Sequence, residues 1–236
     1  MKSPFPSIAA RDRIIVALDV PSQREAVALV QLLSAEVSFF KIGLQLYTAC
    51  GPDVVRAVAD AGGKVFLDLK LHDIPNTVAR AVESAAHLDV QMLTIHLSGG
   101  GEMIRAAVGS KAIGMMLLGV TVLTSADAET LREIGVESTI ETQVLRLADL
   151  GARCGIDGLV ASPHELPALR REFDSGIKLV IPGVRPGWSA SDDQKRFLTP
   201  AVAVRSGANY LVIGRPITSH RDPREAVQKI IAEISA

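Results

Sequence analysis

The chain has 236 residues, 48% of them hydrophobic, with 25 basic and 26 acidic side chains and a formal net charge of -1. That composition suits one compact domain spanning 1–236 with a sizeable core, although length alone also permits two domains. The near-neutral balance provides no global field to attract nucleic acid or an anionic membrane, so an anionic ligand has to be caught by a local site. Cys50 and Cys154 show no CxxC or Cys/His ligand spacing, which predicts two reduced, buried thiols rather than a disulfide. Residues 1–13 carry two prolines and three basic residues but no apolar run of signal-peptide type. The longest apolar stretch, near 114–123, is about half of the ~20 residues needed to span a bilayer. A cytoplasmic protein is expected.

Short β-branched or aliphatic runs occur at 14–18, 39–43, 65–69, 92–96, 115–120, 158–161, 179–181 and 210–213. They are apolar on both faces, as parallel strands covered by helices are. Helical patterns lie between them. The segment 22–33 opens on Ser22 with Glu25 three residues later, a capping-box pattern, and 52–61 begins with proline and runs out at Gly62-Gly63. Others are 75–88, 102–108, 141–154, 163–171 and 225–234. Each strand–helix pair takes about thirty residues, the size of a βαβ unit. Eight such pairs predict a closed (β/α)8 barrel, with a doubly wound open sheet as the alternative.

In such barrels active sites gather at the carboxyl ends of the strands. The first run ends in Asp19, the second holds Lys41, and the third continues as Asp68-Leu69-Lys70-Leu71-His72-Asp73. Strand alternation predicts that Asp68 and Lys70 share one face and Leu67, Leu69 and Leu71 the other. A structural ion pair would account for one carboxylate and one ammonium, but not for five charged residues converging on strand ends. The seventh and eighth strands add Pro182-Gly183-Val184-Arg185 and Gly214-Arg215-Pro216. Loops after these strands commonly bind phosphate, glycine lets backbone N–H groups approach an anion, and guanidinium grips its oxygens. Either glycine–arginine pair alone could be an ordinary turn, whereas together they suggest a phosphate gripper.

The run from Asp68 through His72-Asp73-Ile74-Pro75-Asn76-Thr77 resembles the signature of the bacterial orotidine 5'-phosphate decarboxylase family. Similar blocks cover nearly the whole chain: Ala17-Leu18-Asp19, Phe40-Lys41-Ile42-Gly43, His96 before Ser98-Gly99-Gly100, Leu123-Thr124-Ser125, the proline–arginine run at 182–186, and 214–218. Two departures stand out: Ile181 where the family often has threonine, and Leu97 where a small residue is common. The resemblance implies a barrel carboxy-lyase that makes uridine 5'-phosphate in pyrimidine biosynthesis, with no cofactor and no metal. It implies that Lys70 protonates C6 and stabilises the developing anion, with Asp68 and Asp73 keeping Lys70 charged and Asp68 facing the substrate carboxylate. It assigns Asp19 and Lys41 to the ribose, Thr124 or Ser125 to the pyrimidine, and Arg185, Gln194, Gly214 and Arg215 to the phosphate. Ile74 and Pro182 join the substrate-binding set. Asp73 and Thr77 are implied to reach the partner's site in a homodimer.

The segment 183–196 is rich in glycine, serine and charge, as a mobile lid is, and carries the only tryptophan, Trp188. His72 and His96 are expected to pack or line the mouth. His87, His164 and His220, the turn Ser98-Gly99-Gly100-Gly101 and the pair Arg170-Arg171 have ordinary structural readings. Two rival functions remain. Magnesium-dependent sugar-phosphate lyases of the same superfamily resemble a version with an acidic ligand where Lys41 stands. A non-catalytic nucleotide-binding barrel would be expected to lose part of the charged network.

Overall fold

The computed structural model describes residues 8–174, 176–189 and 198–236. Among them are eight strands: β1 (Ile14–Ala17), β2 (Phe39–Gly43), β3 (Lys64–Leu71), β4 (Met92–His96), β5 (Met116–Val120), β6 (Gly158–Val160), β7 (Lys178–Pro182) and β8 (Tyr210–Ile213). All neighbours run parallel in chain order, and β8 pairs back onto β1 through Ile14↔Leu211 and Val16↔Ile213. Closure rules out the open sheet, which would leave β1 and β8 unpaired with each other.

The helices form where the sequence punctuates them. In Gln23–Leu33 the Ser22 hydroxyl oxygen accepts from the Glu25 N–H at 3.3 Å and donates its own proton to the Glu25 carboxylate at 2.9 Å. Pro75 starts Pro75–Ala86 at its first position, where a missing N–H costs nothing. Leu44–Cys50, Ala128–Glu133, Pro200–Arg205 and Arg215–Thr218 were not predicted, since helices of four to seven residues are too short to show a 3.6-residue period. Ser98 and Gly99 belong to a 3-10 turn, and Gly100 and Gly101 already open the helix Gly100–Ser110.

Alternation along the strands divides the core in two. Ile15, Phe39, Phe66, Met92, Leu118, Val180 and Tyr210 fill the barrel interior, while Ile14, Phe40, Leu67, Leu93, Leu117, Leu179 and Leu211 pack outward against the helices. Leu97 is fully buried, and the room for it comes from Gly119 and Gly151, where an added Cβ would stand 2.5 and 3.0 Å from the leucine side chain. Ile181 is likewise fully buried in the outer core. Among the described residues no helix is long and apolar enough to cross a membrane.

Candidate active site

The interior columns continue upward into the mouth. Two residues beyond Phe39 on β2 stands Lys41, two beyond Phe66 on β3 stands Asp68, and two beyond Met92 on β4 stands Thr94. The two-residue period thus delivers polar groups onto an apolar floor. Above it lies a cavity of about 340 Å³ lined by Asp19, Lys41, Asp68, Lys70 and Thr124, and on the opposite side by Pro182, Arg185, Gly214 and Arg215.

The acidic and basic groups alternate. Lys41 Nζ stands 3.4 Å from Asp19 Oδ1 and 3.7 Å from Asp68 Oδ2, and Lys70 Nζ lies 2.8 Å from Asp68 Oδ1. Asp68 is buried, and the side chains of Lys41 and Lys70 are only 12% and 27% exposed, so these charges attract with less solvent screening than a surface pair. Gly43 keeps this arrangement open, since a Cβ there would stand 3.0 Å from Lys41 Nζ.

Asp68 and Lys70 meet in the cavity while Leu67, Leu69 and Leu71 pack on the outer side, as alternation predicts, but the strand is irregular here. The β3–β4 ladder passes from Leu67↔Leu93 to Leu71↔Ile95, so β3 uses four residues where β4 uses two. Inside this bulge Lys70 adopts φ 52°, a left-handed conformation costing a non-glycine residue on the order of 1 kcal/mol. The Lys70 N–H donates to Thr94 Oγ1 at 2.9 Å, and the Thr94 hydroxyl donates to Asp68 Oδ1 at 3.0 Å. Thr94 is fully buried and escaped the sequence reading because threonine is a common strand residue within an apolar run.

At the other end Arg185 and Arg215 border both this cavity and a second one beside it, lined also by Trp188 and His220. Among the described residues neither guanidinium has an acidic partner. Gly183 takes φ 75°, which admits the sharp exit from β7, and Gly214 lies against Asp19, where a Cβ would come within 3.4 Å of Oδ2. The cavity therefore offers cations to a phosphate at one end and an ammonium braced by a carboxylate at the other.

Several expected residues stand apart from it within one chain. Asp73 is exposed, and its carboxylate accepts from the Ile74 N–H at 2.7 Å; no ion pair joins it to Lys70. Ile74, 66% exposed, and Thr77 lie beyond the mouth, and of the pyrimidine candidates Thr124 lines the cavity whereas Ser125 does not. Gln194 and the rest of 190–196 lie outside the described residues. β3 ends at Leu71, so His72 lies just beyond the strand. The His72 ring sits 5.6 Å from that of His96, and His96 is held below the ordinary imidazole range by burial, then by His72 and Lys70. His164 borders a small cavity behind Thr124, and Arg170 ties its helix to the Gly207 carbonyl at 2.9 Å.

Comparison with known proteins points the same way. The family model described as Orotidine 5'-phosphate decarboxylase / HUMPS family matches residues 12–230. A relative named orotidine 5'-phosphate decarboxylase from Opitutus terrae is 53% identical over 94% of this chain and 98% of its own length. One of the same name from Geotalea daltonii is 49% identical over 96% and 98%. Among solved structures, the orotidine 5'-phosphate decarboxylase from Lactobacillus acidophilus superposes with a TM-score of 0.83 at 34% identity, covering 95% of this chain and 100% of that one. With a matching model over nearly its whole length and relatives at about half identity, the chain belongs to the orotidine 5'-phosphate decarboxylase / HUMPS family.

Proposed function

We propose that this chain, working as one barrel domain over 1–236, decarboxylates orotidine 5'-phosphate to uridine 5'-phosphate and CO2 in de novo pyrimidine biosynthesis. The observation that carries the reading is the alternating row Asp19–Lys41–Asp68–Lys70, facing Arg185 and Arg215 across one cavity. The C6–carboxylate bond breaks and leaves its electron pair on C6, where the charge cannot spread into the ring π system. The fixed Lys70 ammonium stabilises that charge and gives C6 its proton, then regains one from solvent. Asp68 holds the ammonium at 2.8 Å and faces the departing carboxylate. Asp19 and Lys41 take the ribose hydroxyls, Thr124 the pyrimidine edge, and Arg185, Gln194, Gly214 and Arg215, with Pro182 beside them, the phosphate.

No metal or cofactor is assigned a part. The family description also covers hexulose-phosphate chemistry, so the residue on β2 separates the readings. The Lys41 ammonium stands between two carboxylates, the place a divalent cation would take. We further assign Asp73, Thr77 and Ile74 to the neighbouring site in a homodimer. This accounts for Ile74 and Leu44 being 66% and 57% exposed after the ends of adjoining strands. Both thiols are free, Cys154 buried as expected and Cys50 only partly so, and free thiols fit a reducing cytoplasm.

The test is the ultraviolet absorbance of orotidine 5'-phosphate mixed with the protein and excess chelator. Rapid conversion is expected; no conversion, followed by turnover of a sugar phosphate on adding magnesium, would transfer the assignment to the other branch. Arg215→Ala should weaken uridine 5'-phosphate binding about 10- to 100-fold, the worth of a charge-assisted hydrogen bond, and leave uridine binding unchanged. Trp188 borders the arginine cavity and its fluorescence reports both titrations. Equal weakening of the two ligands would show that Arg215 supports the fold rather than the phosphate.

A further inference from the structure

We infer that Thr94 is a positioning residue for the decarboxylation, setting through its single hydroxyl where the Lys70 ammonium stands; this rests on the function proposed above. A threonine hydroxyl has one proton to give and lone pairs to accept with. The Lys70 backbone N–H can only donate, so at 2.9 Å it fixes Thr94 Oγ1 as acceptor. The hydroxyl proton is then free for Asp68 Oδ1 at 3.0 Å, the same oxygen that receives Lys70 Nζ at 2.8 Å. The result is a closed ring of hydrogen bonds that leaves Lys70 at its backbone and returns to it at the tip of its side chain.

Each link answers a need created by the bulge. Four residues of β3 oppose two of β4, and at that irregularity the Thr94 side chain receives the Lys70 N–H. The same bond steadies a left-handed φ that lysine rarely adopts. Its other half prevents the Asp68 carboxylate from rotating about its terminal bond, a broad torsion when nothing holds it. Lys41, 3.7 Å from Oδ2, grips the other oxygen more loosely, so Oδ1 is the oxygen whose place decides the direction of the Lys70 ammonium. Thr94 is itself fully exposed to neither solvent nor cavity: it is 0% accessible and absent from the cavity wall, so it acts through Asp68 and Lys70.

Thr94→Val keeps the shape and removes both hydrogen bonds, whereas Thr94→Ser keeps both. Thr94→Val should lower kcat about 100-fold, the scale of a misplaced reacting group, with KM changed by less than about threefold. Thr94→Ser should recover kcat to within about fivefold of the parent. Thr94→Cys, with its weak donor and acceptor, should fall between them and carries the test if the valine variant does not fold. Full activity in a folded Thr94→Val protein, or equal losses in the valine and serine variants, would overturn the inference and leave Thr94 a packing residue. Turnover by the parent is measured alongside. A parent inactive on orotidine 5'-phosphate defeats the functional reading, while an active parent with an indifferent Thr94→Val variant defeats only the role of Thr94.

Discussion

Lys70→Ala is expected to reduce kcat for orotidine 5'-phosphate by roughly ten-thousandfold or more, since on the proposed mechanism one substitution removes both the proton donor and the nearest fixed positive charge. Uridine 5'-phosphate should still bind, because the arginines and the pair Asp19–Lys41, proposed to hold the phosphate and the ribose, are untouched. Truncation also leaves Asp68 without its 2.8 Å partner, with only Lys41 at 3.7 Å and the Thr94 hydroxyl for compensation. Part of any loss in stability therefore reflects an exposed imbalance of charge rather than a lost contact. Absorbance assays for turnover, Trp188 titrations for binding and thermal melts for folding separate the three effects. Residual turnover within a hundredfold of the parent would assign the proton to another group.

The second large effect concerns two chains at once. Asp73→Ala alone should cost activity on the order of 100-fold or more if its carboxylate completes the neighbouring site. Mixing inactive Lys70→Ala and Asp73→Ala proteins should then restore activity. In a mixed dimer both defects fall in one site and the other site is intact. Random pairing of equal amounts makes half the dimers mixed, so about a quarter of all sites should work. If the mixture stays silent after subunit exchange has been verified by mass, Asp73 acts within its own chain. The present geometry already places a constraint on that outcome. Asp73 is exposed and bonded to the adjacent Ile74 N–H, so to serve Lys70 of its own chain it would have to give up that bond and turn inward.

Much of this molecule was legible in the order of its residues. Apolar runs both of whose faces are buried announce parallel strands, and each of the eight predicted runs overlaps a strand. Charged residues at the ends of such runs announced the mouth, and Asp19, Lys41, Asp68, Lys70, Arg185 and Arg215 do line one cavity. Closure was a different matter. Local periodicity says nothing about whether the last strand returns to the first, and only the β8–β1 pairing decides it. The same limit applies at β3. Alternation put Asp68 and Lys70 on a common face, but the bulge that sets the Lys70 backbone depends on the β4 strand it pairs with, more than twenty residues away. Thr94 went unseen because a hydroxyl within an apolar strand has the same sequence appearance whether it packs or binds. Composition and period thus determined the elements and the charges they carry, since both follow from interactions between near neighbours. Register, closure and the partners of a buried hydroxyl are contacts between distant segments, and they exist only once the barrel has formed.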